Sequence, residues 1–150
     1  MRRTILLLRV SYWIGAVLDA LAAIAMLFPS LGGMIYGLSN FAPGADYRYA
    51  MGSAASLMLG WTALLLWADR APLERRFVLV LTVFPVVAGL AASEIAAIRA
   101  EFLPFASVVP TFVLQLAAST LFLGSYVRAS RVLARRSDRT ETPTRLPEQT

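Results

Sequence analysis

Four apolar stretches dominate the sequence, and each is long enough to cross the hydrocarbon core of a bilayer, for which about 20 residues suffice. They cover residues 5–28, 49–67, 77–98 and 106–127. Hydrocarbon offers the backbone no hydrogen-bond partner, so each stretch is predicted to be a helix. The predicted fold class is therefore all-α: an integral membrane, antiparallel four-helix bundle.

Composition favours a membrane protein over a water-soluble one. Hydrophobic residues make up 58% of the chain and charged residues 15%, whereas soluble domains carry about 25% charged residues. We expect one four-span bundle over residues 1–131. Residues 132–150 are polar and rich in Thr, Arg and Pro. We predict that they form a disordered, basic cytoplasmic tail.

Several residue types are missing, and their absence excludes whole classes of chemistry. The chain has no Cys and no His, and all 14 of its cationic side chains are Arg. Thiol catalysis, disulfide exchange, histidine-ligated haem and lysine Schiff bases are therefore excluded. We expect no cofactor and no metal ion.

The distribution of Arg predicts the orientation in the membrane. Arg precedes the first stretch, recurs in the second connection and is abundant after the fourth stretch, whereas the other two connections carry only Arg48 and Arg99. Cytoplasmic segments are enriched in Arg, so both termini are predicted to be cytoplasmic, in a plasma membrane of bacterial inner-membrane type. The net charge of +5 then indicates anionic lipid headgroups as the partner, and no nucleic acid.

The N-terminus has features of a cleavable leader, with Arg2 and Arg3 before an apolar run and small residues at its end. Asp19 interrupts that run, and removing the first span would break the charge pattern. We therefore expect the first span to be retained.

The first connection, residues 29–48, is the longest and is too apolar to extend freely into water. It combines the turn signals Gly32-Gly33, Gly37 and Pro43-Gly44 with several large apolar side chains. It is predicted to form a structured outer loop, either a short interfacial helix or a cap on the outer end of the bundle.

Polar side chains at membrane depth are the most informative candidates for function, because each costs free energy unless it is satisfied. With a rise of about 1.5 Å per residue, Asp19, Ser56 and Gln115 lie at nearly the same height, and Glu94 lies closer to the outer surface. The candidates for ligand or proton binding are Asp19, Gln115, Ser56, Glu94 and Arg48.

Asp19 is open to two interpretations. It is either a protonatable site, as in an ion or proton relay or an anchor for an amine-bearing ligand, or a structural group bonded to Gln115 or Ser56. Glu94 can pair with Arg99 or Arg48, or reach water. Arg48, at the outer mouth, can close over the acidic residues or contact a lipid phosphate.

Small residues recur at spacings that allow helices to approach closely. The second span carries Gly52, Ser56 and Gly60 four residues apart, and Gly15 and Gly89 occupy similar positions in the first and third spans. We predict that these five residues pack helices within one bundle. The alternative is that one stripe faces outward and forms a dimer.

In its length, its four spans and its Arg2-Arg3 start, the chain resembles small four-span bacterial membrane proteins grouped as DoxX-like. This resemblance transfers no site or activity. The leading prediction is a non-enzymatic accessory or interaction protein, as a homo-oligomer or in a membrane complex. One alternative is a small carrier or ligand-binding bundle centred on Asp19. Another is a membrane enzyme acting on a lipophilic substrate, with Asp19 and Glu94 as acid and base.

Overall fold

The computed structural model describes residues 2–38 and 41–140, with side chains to residue 136, and this part of the chain is helical without any strand. The elements are α1 (Arg2–Leu27), α2 (Pro29–Ile35), α3 (Ala45–Asp69), α4 (Phe77–Leu81), a π-helical turn (Thr82–Val87), α5 (Ala88–Arg99) and α6 (Phe105–Thr140). α4, the π-helical turn and α5 form one continuous long helix, Phe77–Arg99, which we call α4–α5.

Four helices are long and apolar enough to cross a membrane: α1, α3, α4–α5 and α6. Their outer surfaces are rich in exposed apolar side chains, such as Leu57 and Leu116, which are 77% and 71% exposed. Such a surface is suited to lipid and is rare on soluble monomers. The all-helical prediction and its four apolar spans are confirmed. The antiparallel arrangement and the orientation of the termini remain predictions.

α1 lies at the centre of the packing, with α3 on one side and α6 on the other. Leu8 and Tyr12 of α1 are fully buried against Leu65 of α3 and Phe122 of α6. α6 in turn packs on α4–α5, whereas the backbones of α3 and α4–α5 make few close contacts. A single side-chain hydrogen bond links the latter two helices, from Trp61 Nε1 to Thr82 Oγ1 at 3.2 Å. This looser pair leaves room inside the molecule.

The short helix α2 confirms that the first connection is structured. The chain turns at Phe28, which is extended (φ −114°, ψ 94°), because a residue before proline is disfavoured in the helical region. α2 is followed by Tyr36 at the C-cap and then by Gly37, which adopts a left-handed φ of 68°. The backbone N–H groups of Gly37 and Leu38 bond the carbonyls of Met34 and Gly33, as in a Schellman motif.

A π-helical turn surrounds Pro85 in the middle of α4–α5. Proline lacks the N–H that an α-helix needs at this point, so the hydrogen-bond ladder is re-spaced locally. Thr82 donates to the carbonyl of Val78 at 2.9 Å while it accepts from Trp61. The turn thereby presents a polar side chain to α3.

The connection at residues 70–76 is held to the ends of α1, α3 and α6. Tyr12 donates to the carbonyl of Arg75 at 3.0 Å, and Arg76 Nε donates to Ser130 Oγ at 3.1 Å. The Arg75 guanidinium stacks 3.5 Å over the Trp67 ring, a cation–π contact. These contacts fix the connection to the three helices at the end of the molecule opposite α2.

The helix α6 continues past residue 131, where we placed the end of the bundle. Residues 132–140 are helical, which corrects the predicted start of the disordered tail. Ala129 is fully buried, Val132 and Leu133 are half-buried, and Arg131 and Arg135 are exposed, so an apolar face extends the helix. The remainder of the predicted tail, residues 141–150, lies outside the described residues.

Candidate functional site

A cavity of about 420 Å³ lies between the long helices at the end of the molecule that carries α2. All four long helices contribute to its wall, and Gly32, Ile35 and Tyr36 of the α2 region contribute as well. Most of the wall is apolar. The volume lies within the range of about 300–1,000 Å³ that is typical of small-molecule sites.

Asp19 lines this cavity from α1 and is only 8% exposed. Its Oδ2 atom is buried and has no hydrogen-bond partner among the described residues. The structural interpretation, in which Asp19 bonds Gln115 or Ser56, is therefore not what the structure shows. An unpaired buried polar group of this kind costs about 1–3 kcal/mol.

Glu94 of α5 is 8% exposed and lines the same cavity. One of its oxygens accepts a hydrogen bond from Gln115 Nε2 at 3.0 Å, and the other accepts one from the Tyr36 hydroxyl at 3.4 Å. Glu94 thus joins α5 to α6 and to the α2 region. Both oxygens have neutral donors, and the described residues show no ion pair of Glu94 with Arg99 or Arg48.

Gln115 of α6 completes the polar layer. Its amide nitrogen donates a hydrogen bond to Glu94, while its Oε1 atom is buried without a partner in the described part of the chain. Two side chains of the cavity wall, Asp19 and Gln115, therefore each have a buried oxygen without a partner in the described structure.

Most donors of the cavity wall are already engaged. Tyr36 and Gln115 donate to Glu94, Thr82 donates to the carbonyl of Val78, and Thr111 donates to the carbonyl of Val108. The site is consequently poor in free donors and carries two acidic side chains. It is suited to a ligand that donates hydrogen bonds.

Two predicted members of the site lie elsewhere. Ser56 is exposed and donates to the carbonyl of Gly52 on its own helix at 3.0 Å. α3 presents Met51 and Met58 to the cavity in its place. Arg48 is also exposed and is not part of the cavity wall.

The predicted packing glycines divide into two groups. Gly15 is tightly enclosed, since a Cβ there would lie 3.1 Å from Leu65 Cδ1 and 3.2 Å from Phe122 Cζ. A Cβ at Gly52, Gly60 or Gly89 would meet nothing within 4 Å. Gly15 thus lies at a tight contact between helices, whereas Gly52, Gly60 and Gly89 have open space beside them. Ser56 is exposed.

Tyr36 is the member of the site that the sequence did not single out. It follows α2 directly, and burial, together with the negative charge and the hydrogen bond of Glu94, raises its pKa above the ordinary value of 10.0. Tyr36 therefore remains a neutral donor. The only signal in the sequence is a hydroxyl-bearing aromatic residue within a connection that is otherwise apolar.

The residues present do not form a metal centre. No group of three or more His, Cys, Asp or Glu side chains is close enough to hold a metal ion within the part of the chain that is described.

Comparison with protein-family models, curated proteins and solved structures returns no match for this chain. The resemblance to DoxX-like proteins thus remains one of length and span count.

Proposed function

We propose that this chain is a multi-pass membrane protein that binds a small, mostly apolar molecule in the cavity, as a carrier or a ligand-binding bundle. One observation carries the proposal: Asp19 Oδ2 and Gln115 Oε1 are both buried in the wall of the cavity of about 420 Å³ without partners. Buried polar groups are normally satisfied, and a ligand in the cavity would satisfy both.

The arrangement in the membrane is part of the proposal. The four apolar helices cross a plasma membrane in antiparallel order with both termini in the cytoplasm, so the cavity lies in the outer half. Exposed Arg128, Arg131 and Arg135 on the basic end of α6 contact anionic headgroups.

α2 acts as the lid of the proposed site. It contributes cavity-lining residues, and the Tyr36 hydroxyl bonds Glu94 on the opposite wall. A short helix flanked by an extended residue and a left-handed glycine can pivot at both ends. Opening this lid would admit a ligand from the outer surface.

Blocking the cavity tests the proposal. Ala118 lines the cavity, whereas its neighbour Ala117 on α6 is exposed on the outside. Ala118→Phe and Ala117→Phe therefore add the same ring inside and outside the site. With phenylbutanol as the probe and purified protein in micelles, we expect saturable one-to-one binding in wild type and in Ala117→Phe. Binding in Ala118→Phe should be at least about tenfold weaker, the equivalent of about 1.4 kcal/mol.

Two results would contradict the binding function. Wild-type protein that shows no more saturable binding than empty micelles would do so. Equal binding by both variants would do so as well, because it would place the probe on the lipid-facing surface.

The leading prediction from the sequence, an accessory or interaction protein, is the second candidate. The observation that favours it is the outward-facing stripe Gly52, Ser56 and Gly60, which no other helix covers closely. Ser56→Cys should cross-link two copies in native membranes if the stripe forms a homodimer. Monomeric protein at every concentration would leave the stripe facing lipid.

A further inference from the structure

The charge of the proposed site restricts the class of ligand. Asp19 and Glu94 both line the cavity, and no Arg is among the side chains that form its wall in the described structure. The described ion pair lies at the other end of the molecule, between Arg9 and Asp69 at 3.8 Å. The protein supplies acidic groups to an apolar interior and no cation to balance them.

The geometry of the acceptors adds to this restriction. Glu94 has both oxygens occupied by Tyr36 and Gln115, so its position is set by the protein itself. Asp19 Oδ2 and Gln115 Oε1 are buried oxygens of cavity-lining side chains that have no hydrogen-bond partner among the described residues. A ligand that fills them must carry N–H or O–H groups at one end.

The remainder of the wall is suited to an organic molecule rather than to an inorganic ion. Leu18, Met26, Met58 and Leu90 contribute apolar surface, and Phe122 contributes an aromatic ring. Aromatic faces attract ammonium groups. Two carboxylates line the wall, and no group of three or more His, Cys, Asp or Glu side chains that could hold a metal ion occurs in the described part of the chain.

Resting on the binding function proposed above, we propose that the ligand is a lipophilic amine in its protonated form. Its ammonium group donates to Asp19 Oδ2 and Gln115 Oε1, and its apolar part fills the remainder of the cavity. A neutral alcohol donates a single hydrogen bond, so it would leave one of these acceptors without a donor. It would also leave the carboxylate charge unbalanced in a medium of low dielectric constant.

Two probes of the same shape separate charge from apolar fit. Phenylbutylamine is protonated at neutral pH, and its primary ammonium group carries enough N–H donors for both acceptors. Phenylbutanol shares its apolar part but is neutral. We measure the saturable binding of each to the intact protein in micelles, with empty micelles subtracted. The amine should bind wild type about 10- to 100-fold more tightly than the alcohol, because a hydrogen bond to a charged group contributes about 1.5–3 kcal/mol.

Variants then assign the charge effect to one side chain. Asp19→Asn keeps the shape and removes the charge, so it should reduce amine affinity by about 10- to 100-fold and leave phenylbutanol binding nearly unchanged. Asp19→Glu should restore part of the amine preference. The matched control is Asp46→Asn, an exposed carboxylate outside the cavity wall, and it should change neither affinity.

The outcomes distinguish the two proposals. If the amine and the alcohol bind wild type equally, and Ala118→Phe weakens both, the cavity binds ligands but the amine class is wrong. If the amine preference persists in Asp19→Asn, or disappears equally in Asp46→Asn, the assignment to Asp19 is overturned. If neither probe binds saturably, the binding function itself fails. The wild-type comparison requires no variant, so misfolding of Asp19→Asn would not prevent the test.

Discussion

Gly15 is a residue of α1 that lies in close contact with side chains of α3 and α6. The side chains of Leu65 and Phe122 leave no space for a larger residue there. Gly15 also lines the cavity, one turn from Asp19. Its small size therefore determines both the packing of the helices and the position of the carboxylate.

Replacing Gly15 with a large side chain should destabilise the protein. Gly15→Leu would overpack the junction, and we expect a loss of about 1–3 kcal/mol in the free energy of unfolding. Gly52→Leu is the matched control, because a Cβ at that position meets no atom within 4 Å. Thermal unfolding in the same detergent compares the two. Equal melting temperatures would show that Gly15 is not a packing residue.

At the scale of residues, the sequence predicts the depth of a side chain but not the direction in which it points. A constant rise per residue placed Asp19 and Gln115 at nearly the same height and Glu94 closer to the outer surface. All three side chains line the cavity. The same reasoning included Ser56, which points outward. A helix in lipid is apolar on every side, so its pattern contains little information about which side faces its neighbours.

At the level of elements, the proposed lid consists of α2 together with Tyr36, whose hydroxyl donates to Glu94. Burial and the neighbouring Glu94 raise the pKa of Tyr36, and Tyr47 has a smaller effect in the same direction. Tyr36 is then protonated in the folded and unfolded states below pH 10.0. Its contribution to stability is fully present there and is lost as the pH rises from that value toward the folded-state pKa.

Tyr36→Phe removes the hydrogen bond to Glu94 and should loosen the lid. Amide hydrogen exchange in residues 29–38 should become faster in the variant at neutral pH, while exchange in α1 should be unchanged. The control is Tyr49→Phe, an exposed tyrosine outside the cavity wall. Equal exchange rates in α2 of wild type and Tyr36→Phe would show that the hydrogen bond to Glu94 does not hold the proposed lid in place.

The elements themselves were largely predictable, and the exceptions have physical reasons. Runs of apolar residues predicted the four long helices, and the turn signals predicted the structured connection that contains α2. The length of α6 was missed because charged residues after 131 were interpreted as a tail, although Ala129 and Val132 continue an apolar face. The π-helical turn has a local cause in Pro85, whereas the hydrogen bond between Trp61 and Thr82 is a tertiary contact that no local pattern contains.

At the scale of the whole molecule, the absence of Cys allows the topology to be tested by single substitutions. Asp46, Ala106, Glu74 and Arg131 are all exposed. A membrane-impermeant maleimide should label Asp46→Cys and Ala106→Cys in intact cells. It should label Glu74→Cys and Arg131→Cys only after lysis. The reverse labelling pattern would place both termini and the α6 arginines outside.

The cavity is also a property of the whole molecule, because no single helix contains it. It exists where α3 and α4–α5 pack less closely than the other neighbouring helices. The sequence identified polar side chains at one height, but the volume between them depends on helix spacing and rotation. This is why the acidic residues were predictable and the free space beside them was not.

A structure of the wild-type protein, purified gently from its own membrane, would show whether the cavity holds a ligand. We expect density for a small molecule in the cavity, with a donor group within hydrogen-bond distance of Asp19 Oδ2 and Gln115 Oε1. Helices closed over a dry interface, with Asp19 bonded directly to Gln115, would contradict it.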